Sequence, residues 1–152
     1  FLYPKIMNSE KNMPSFEDAL ALAARAHKGQ YDLAGAPYIC HPMRVALAQT
    51  DERARIVAIL HDVVEDTPIT YDDLAQAGFD ADIIAAVEAL TKRPGEKRMD
   101  AAVRAKAHPL ALQVKLADVA DNMNLARIGH PTVEDYARLR EYEGVLAYLK
   151  QE

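Results

Sequence analysis

A chain of 152 residues, half of them hydrophobic, is long enough for one domain with a real core and too apolar for a disordered tail. Its net charge of −5 excludes a general binder of nucleic acid or anionic membrane, so an anionic substrate must be met by local cations or a metal ion. Cys40 is the lone cysteine, which rules out an intramolecular disulfide and points to a reducing cytoplasm, and charges interrupt every apolar run, so no signal peptide or spanning segment is expected.

Residues 1–14 (FLYPKIMNSEKNMP) show no initiator Met and no helical pattern, and are read as a flexible leader or expression remnant before a domain over 15–152. Ser15 can cap a helix over Phe16–Gly29, with Leu20, Ala23, Ala24 and His27 at helical spacing. Gly35 and Pro37 mark the stretch 29–40 as a loop, and His41-Pro42 opens a second helix with proline in its first turn. Asp51 caps a third helix, which runs into the acidic segment HDVVEDT and stops at Thr67-Pro68. Thr70 starts a short helix ended by Gly78, and Asp80 begins another that buries Ile83, Ile84, Val87 and Leu90. A polar loop with the cations Lys92, Arg93, Lys97 and Arg98 precedes helices over Met99–Ala107 and Pro109–Asn122. Thr132 caps the last helix, with Asp135 as the capping-box acid. Apolar residues repeat near 3.6 and never alternate, so the expected fold is a single all-α bundle without strands.

The run HDVVEDT directly follows Ile56, Val57, Ile59 and Leu60, so a hydrophobic helix delivers His61, Asp62, Glu65 and Asp66 to its edge. On a continuous helix His61 and Glu65 share one face, and Asp62 and Asp66 the next. Crowding such groups against a core costs free energy unless a cation or a reaction offsets it, although a solvated, capped helix end would also account for them. Two further segments weigh against that bland reading. In PYICHP, His41 stands at a loop-to-helix junction, and in VKLADVADN, Asp118 lies on a mostly apolar helix, one turn before Asn122. His41, His61, Asp62 and Asp118 make a nitrogen-and-oxygen ligand set suited to manganese, iron or zinc with positions left open.

The ordered series AHKGQ, AGAPYICHP, HDVVEDT, LTK and VKLADVADN resembles the HD-domain hydrolases of the RelA/SpoT group, and is similar to their stand-alone small alarmone hydrolases, the metazoan SpoT homologue included. The resemblance spans about residues 16–150 and implies a compact HD-domain phosphohydrolase that removes the 3′-diphosphate of ppGpp or a relative as pyrophosphate, with bound Mn2+. It implies His41, His61, Asp62 and Asp118 as metal ligands, Glu65 and Asp66 jointly as the catalytic acids, and Asn122 near the nucleotide. The chain departs from the group in three places. Asp32 and Leu33 replace a basic pair that includes an arginine packed on the base, Val119 replaces Arg or Lys, and Asp121 replaces His or Tyr. The resemblance thus implies the metal-and-water machinery and leaves the base open.

Lys28, Asp32, Lys92 and Tyr142 complete the expected substrate-binding set, while Arg93, Lys97 and Arg98 read first as solvated surface. Lys115 fits either role. His27 and Cys40 are expected in packing, His108 and His130 in loops, and Tyr136, Tyr142 and Tyr148 mainly in the packing of the last helix, with Tyr142 at the edge of the pocket. The expected partner is a small nucleotide, without nucleic acid or membrane, and self-association is left open. Two other functions compete: a phosphatase for another nucleotide, such as a mononucleotide or the 2′-phosphate of NADPH, and a nucleotide-binding regulator without turnover.

Overall fold

The computed structural model describes residues 13–152. Its elements are α1 (Phe16–Ala26), α2 (Cys40–Leu47), α3 (Glu52–Leu60), α4 (Val63–Asp66), α5 (Tyr71–Gln76), α6 (Ala81–Leu90), α7 (Arg98–Lys106), α8 (Pro109–Asn122), a 3-10 turn at Leu125–Arg127, and α9 (Val133–Leu149). Among the described residues no strand forms, only an isolated bridge between Tyr31 and Pro37 that narrows the loop after α1. The expected leader falls mostly outside the described residues. Its last two members, Met13 and Pro14, do not behave as a free leader: Met13 packs on the core, and Pro14 crowds the space beside Gly78.

Side chains fix the helix starts. Ser15 with Asp18, Thr70 with Asp73 and Thr132 with Asp135 form reciprocal capping boxes, and the carboxylates of Asp51 and Asp80 accept from the amides of Ala54 and Ile83. Each satisfies amides that a helix N-terminus otherwise leaves unpaired. Two glycines close helices with a left-handed residue: Gly29 at φ 86 follows α1, and Gly78 at φ 100 follows α5.

Helix α3 is the hub. Ile56, Val57, Ala58, Ile59 and Leu60 are at most 1% exposed, so its C-terminal half is buried on every side among α1, α2, α6 and α8. A second, smaller core joins Ala102 of α7, Val119 of α8 and Val145 and Leu149 of α9. Ile56→Ala is expected to destabilise the fold by about 2–5 kcal/mol, read as a lower midpoint in urea unfolding, because a rigid hub cannot collapse into the void.

The structure corrects several expectations. Helix α1 stops at Ala26, and its buried side is Ala19, Ala23 and His27, while Ala24 faces solvent. Tyr136 is 49% exposed instead of packed. Cys40 is only half-buried, as the first residue of α2. The largest difference lies in the acidic run, where one helix was expected and two occur. Nδ1 of His61 takes the carbonyl of Ala58 at 2.6 Å, a carbonyl that a continuing helix would give to the amide of Asp62. Asp62 then sits at φ −105 and ψ −1, and a separate one-turn helix, α4, begins at Val63.

Candidate metal centre

The break brings His61 and Asp62 to a point where His41 of α2 and Asp118 of α8 also arrive. Nε2 of His61 lies 3.0 Å from Oδ2 of Asp62 and 3.4 Å from Oδ1 of Asp118. From α2, Nε2 of His41 lies 3.0 Å from the same Asp118 oxygen and 3.6 Å from the Asp62 oxygen. His41, His61 and Asp62 can each offer a ligand atom within 4.8 Å of the others. Asp118 joins through its contacts to both imidazoles.

The residues fit a divalent ion on two grounds. An ion about 2.1 Å from each donor sets ligand edges of about 3.0 Å at right angles and about 3.4 Å in a tetrahedron, close to the 3.0, 3.4 and 3.6 Å found. Nε2 of His61 is also buried without a hydrogen bond, although carboxylate oxygens of Asp62 and Asp118 lie near it. Its Nδ1 faces a carbonyl, which can only accept, so Nδ1 carries the proton and the Nε2 lone pair points into the cluster.

The surroundings supply charge of the right sign. Burial works against the charged form of Asp118, yet the Lys115 ammonium at 2.9 Å holds its pKa well below the carboxylate range. Asp62 is likewise lowered against burial, by His61 first, and its Oδ2 accepts from the Tyr38 hydroxyl at 2.6 Å. Asn122 donates to Oδ1 of Asp118 at 2.8 Å, so this side chain orients a ligand while also lining the cleft.

Glu65 and Asp66 stand at the solvent side, on α4, and a ligand atom from each lies within 4.8 Å of one from Asp62. Their pKa values are raised, by partial burial first and then by the charge of Asp62. Oε1 of Glu65 accepts from the Lys92 amide at 2.6 Å, and Nε2 of Gln30 donates to the carbonyl of Asp66 at 2.7 Å. His27 is buried and holds Gln30 from below through Nδ1, a packing role.

The cluster opens into a cleft of about 240 Å³ whose walls include Lys92, Arg98, Lys115 and Tyr142. A neighbouring cavity of about 260 Å³ shares Asn122 and Tyr142 with it and is walled further by Asp32, Leu33 and Arg138. Asp32 spends Oδ1 on the amides of Ala34 and Ala36, shaping its own loop. Lys28, exposed beyond α1, lines neither cavity. Val119 is fully buried in the second core and cannot face a nucleotide. His108 caps the start of α8 and lies 3.3 Å from Asp82, and His130 is exposed in a turn.

Three contributors were not legible as such: Tyr38, which buttresses Asp62; Arg98, which stacks on Tyr142 with 4.9 Å between guanidinium carbon and ring centre; and Asp121, whose carboxylate faces His41.

Residues 19–121, holding His41, His61, Asp62 and Asp118, match the HD-domain family. The chain belongs to the HD-domain family. Among its relatives is the Drosophila melanogaster protein named guanosine-3′,5′-bis(diphosphate) 3′-pyrophosphohydrolase MESH1, 31% identical over 140 residues, with 84% of this chain and 78% of that protein covered. The bifunctional (p)ppGpp synthase/hydrolase SpoT of Escherichia coli K12 is 32% identical over 160 residues, covering 90% of this chain but 23% of SpoT. This HD-domain chain thus spans about a quarter or less of the bacterial relatives it matches. A solved structure described as a metazoan orthologue of SpoT that hydrolyses ppGpp superposes with a TM-score of 0.73 at 24% identity, covering 95% of this chain and 88% of that one, which establishes the shared helical fold. HD-domain hydrolases are metal-dependent, and this HD domain has a His/Asp site able to hold a metal.

Proposed function

We propose that this HD domain is a manganese-dependent hydrolase that removes the 3′-diphosphate of an alarmone nucleotide, such as ppGpp, pppGpp or ppApp, as pyrophosphate. The observation that carries this reading is the convergence of two imidazoles and two carboxylates on one point at the floor of a cleft, with a pair of raised-pKa acids at its rim. The printed names of its relatives favour the same chemistry. Mixed nitrogen and oxygen donors suit Mn2+, as they also suit Fe2+ and Zn2+.

His41, His61, Asp62 and Asp118 would hold a divalent ion, which when bound would neutralise phosphate oxygens and acidify water. The protein's own groups do the rest. Lys92, Arg98 and Lys115 bring positive charge to the cleft of a chain that is negative overall. Oε1 of Glu65 is fixed by the Lys92 amide, which leaves Oε2 to orient a water or hold its proton. As the water oxygen bonds to the phosphorus next to the 3′-oxygen, the bond to that oxygen breaks. One member of the Glu65–Asp66 pair takes the water proton, and the other, in its protonated form, gives one to the departing 3′-oxygen. The products are pyrophosphate and the nucleotide with a free 3′-hydroxyl.

A second reading keeps the site and changes the nucleotide, and the acid at the neighbouring cavity favours it: Asp32 supplies no cation to stack on a base. Incubating the manganese-loaded protein with ppGpp, ppApp, mononucleotides and NADPH separates the two. Pyrophosphate from ppGpp or ppApp is the expected product, and orthophosphate from the others alone would replace the first reading with the second. If the neighbouring cavity receives the base, Asp32→Arg should raise kcat/KM for ppGpp relative to ppApp. An unchanged ratio would place the base elsewhere.

A further inference from the structure

Asp121 lies three residues after Asp118 on α8, so the two acids reach the same imidazole from opposite sides. Oδ1 of Asp118 is 3.0 Å from Nε2 of His41, and Oδ2 of Asp121 is 2.6 Å from its Nδ1. Two arginines clamp the Asp121 carboxylate. Arg44 donates from Nε to Oδ1 at 2.7 Å and from Nη2 to Oδ2 at 3.1 Å. Arg127 donates from Nη1 to Oδ1 at 3.2 Å, and from Nη2 to Oδ2 at 3.4 Å and to the Asp121 carbonyl at 3.2 Å. The Asp121 side chain is 11% exposed, and both of its carboxylate oxygens are occupied by donors, the two guanidiniums and the imidazole.

We propose that Asp121 is a positioning residue for the metal centre: its clamped carboxylate keeps the proton of His41 on Nδ1 and turns the Nε2 lone pair toward the ion. This rests on the metal-site reading above, not on which nucleotide is cleaved. An ionised carboxylate can only accept, so the short contact to Nδ1 fixes the tautomer. The pairing also raises the basicity of the ligating nitrogen, as carboxylate–histidine–metal triads do. His61 shows the contrast, because its Nδ1 is held by a neutral backbone carbonyl. The two imidazole ligands therefore differ: His41 is backed by an anion and His61 by a dipole. The acid that departs from the family pattern before Asn122 thus stands behind the metal instead of in the nucleotide cavity.

The test is metal affinity, measured by calorimetric titration of the metal-stripped protein with MnCl2. Asp121→Asn, which keeps the volume, loses the charge and presents a donor to donors, should weaken Mn2+ binding by about 10- to 100-fold. Arg44→Gln removes one arm of the clamp but leaves the carboxylate on His41, and should weaken it by no more than about 3-fold. Asp121→Asn binding within about 2-fold of wild type, or an equal loss in Arg44→Gln, would overturn the proposal. If Asp121→Asn does not fold, nitrogen NMR of the wild-type protein loaded with diamagnetic Zn2+ decides. His41 must then carry its proton on Nδ1, and ligation through Nδ1 sinks the idea. A wild-type protein that binds no divalent ion would instead remove the metal centre itself, which keeps the two failures apart.

Discussion

Asp62→Ala is expected to lose bound manganese and hydrolysis together. The carboxylate touches both imidazoles, at 3.0 and 3.6 Å, and faces the acid pair on its other side. Without it the ion loses an anionic ligand and the transition state loses several kcal/mol of charge stabilisation, a fall in rate on the order of a thousandfold. The cost to the fold is smaller. The Tyr38 hydroxyl loses its acceptor, at about 1–3 kcal/mol, but one of several crowded negative charges also disappears. Manganese content after gel filtration, pyrophosphate release and thermal unfolding should therefore separate clearly. A variant that kept stoichiometric metal and full turnover would show that the ligand set has been misassigned.

Glu65→Gln and Asp66→Asn should do the opposite, retaining the ion while kcat falls by about 10²- to 10⁴-fold. Neither carboxylate is among the four clustered ligands, and α4 keeps its place because the Lys92 amide can still donate to a glutamine oxygen and the Gln30 contact is to backbone. The sign of the pH dependence follows from the raised pKa values. The member acting as base is lost as pH falls through its raised pKa, and the member acting as acid is lost as pH rises through its own, so wild-type activity should peak between them. Removing the base should flatten the acid limb, and removing the acid should flatten the alkaline limb. If both variants kept wild-type kcat, proton transfer would have to be reassigned to other groups in the cleft.

Most of the helical order was legible because its punctuation is local: Ser15, Asp51, Thr70, Asp80 and Thr132 each cap within three residues of themselves. Asp118 was expected at least partly buried because its helix is apolar, and it is 5% exposed. The break after Leu60 was not legible. Its cause is a side chain outcompeting the backbone for one carbonyl, which leaves the apolar period of IVAIL-HDVV intact. At Asp121 the family's pattern shows only a replaced His or Tyr and gives no hint of His41. The spacing of three from Asp118 was the available signal that both acids serve one partner. Val119 shows the reverse error, since a position next to a ligand on a helix points about 100° away, here into the second core. Tyr38 could not be found from spacing, because its contact to Asp62 spans 24 residues.

The hold on Glu65 comes from the main chain at residue 92, not from the lysine side chain. Any residue but proline can supply that amide. Position 92 can therefore change its charge, length or shape, and with it the anions the cleft admits, while the reacting acid stays where it is. Selectivity and catalysis are separable at this point of the chain, which makes it a natural place for a shared scaffold to be retuned toward new nucleotides.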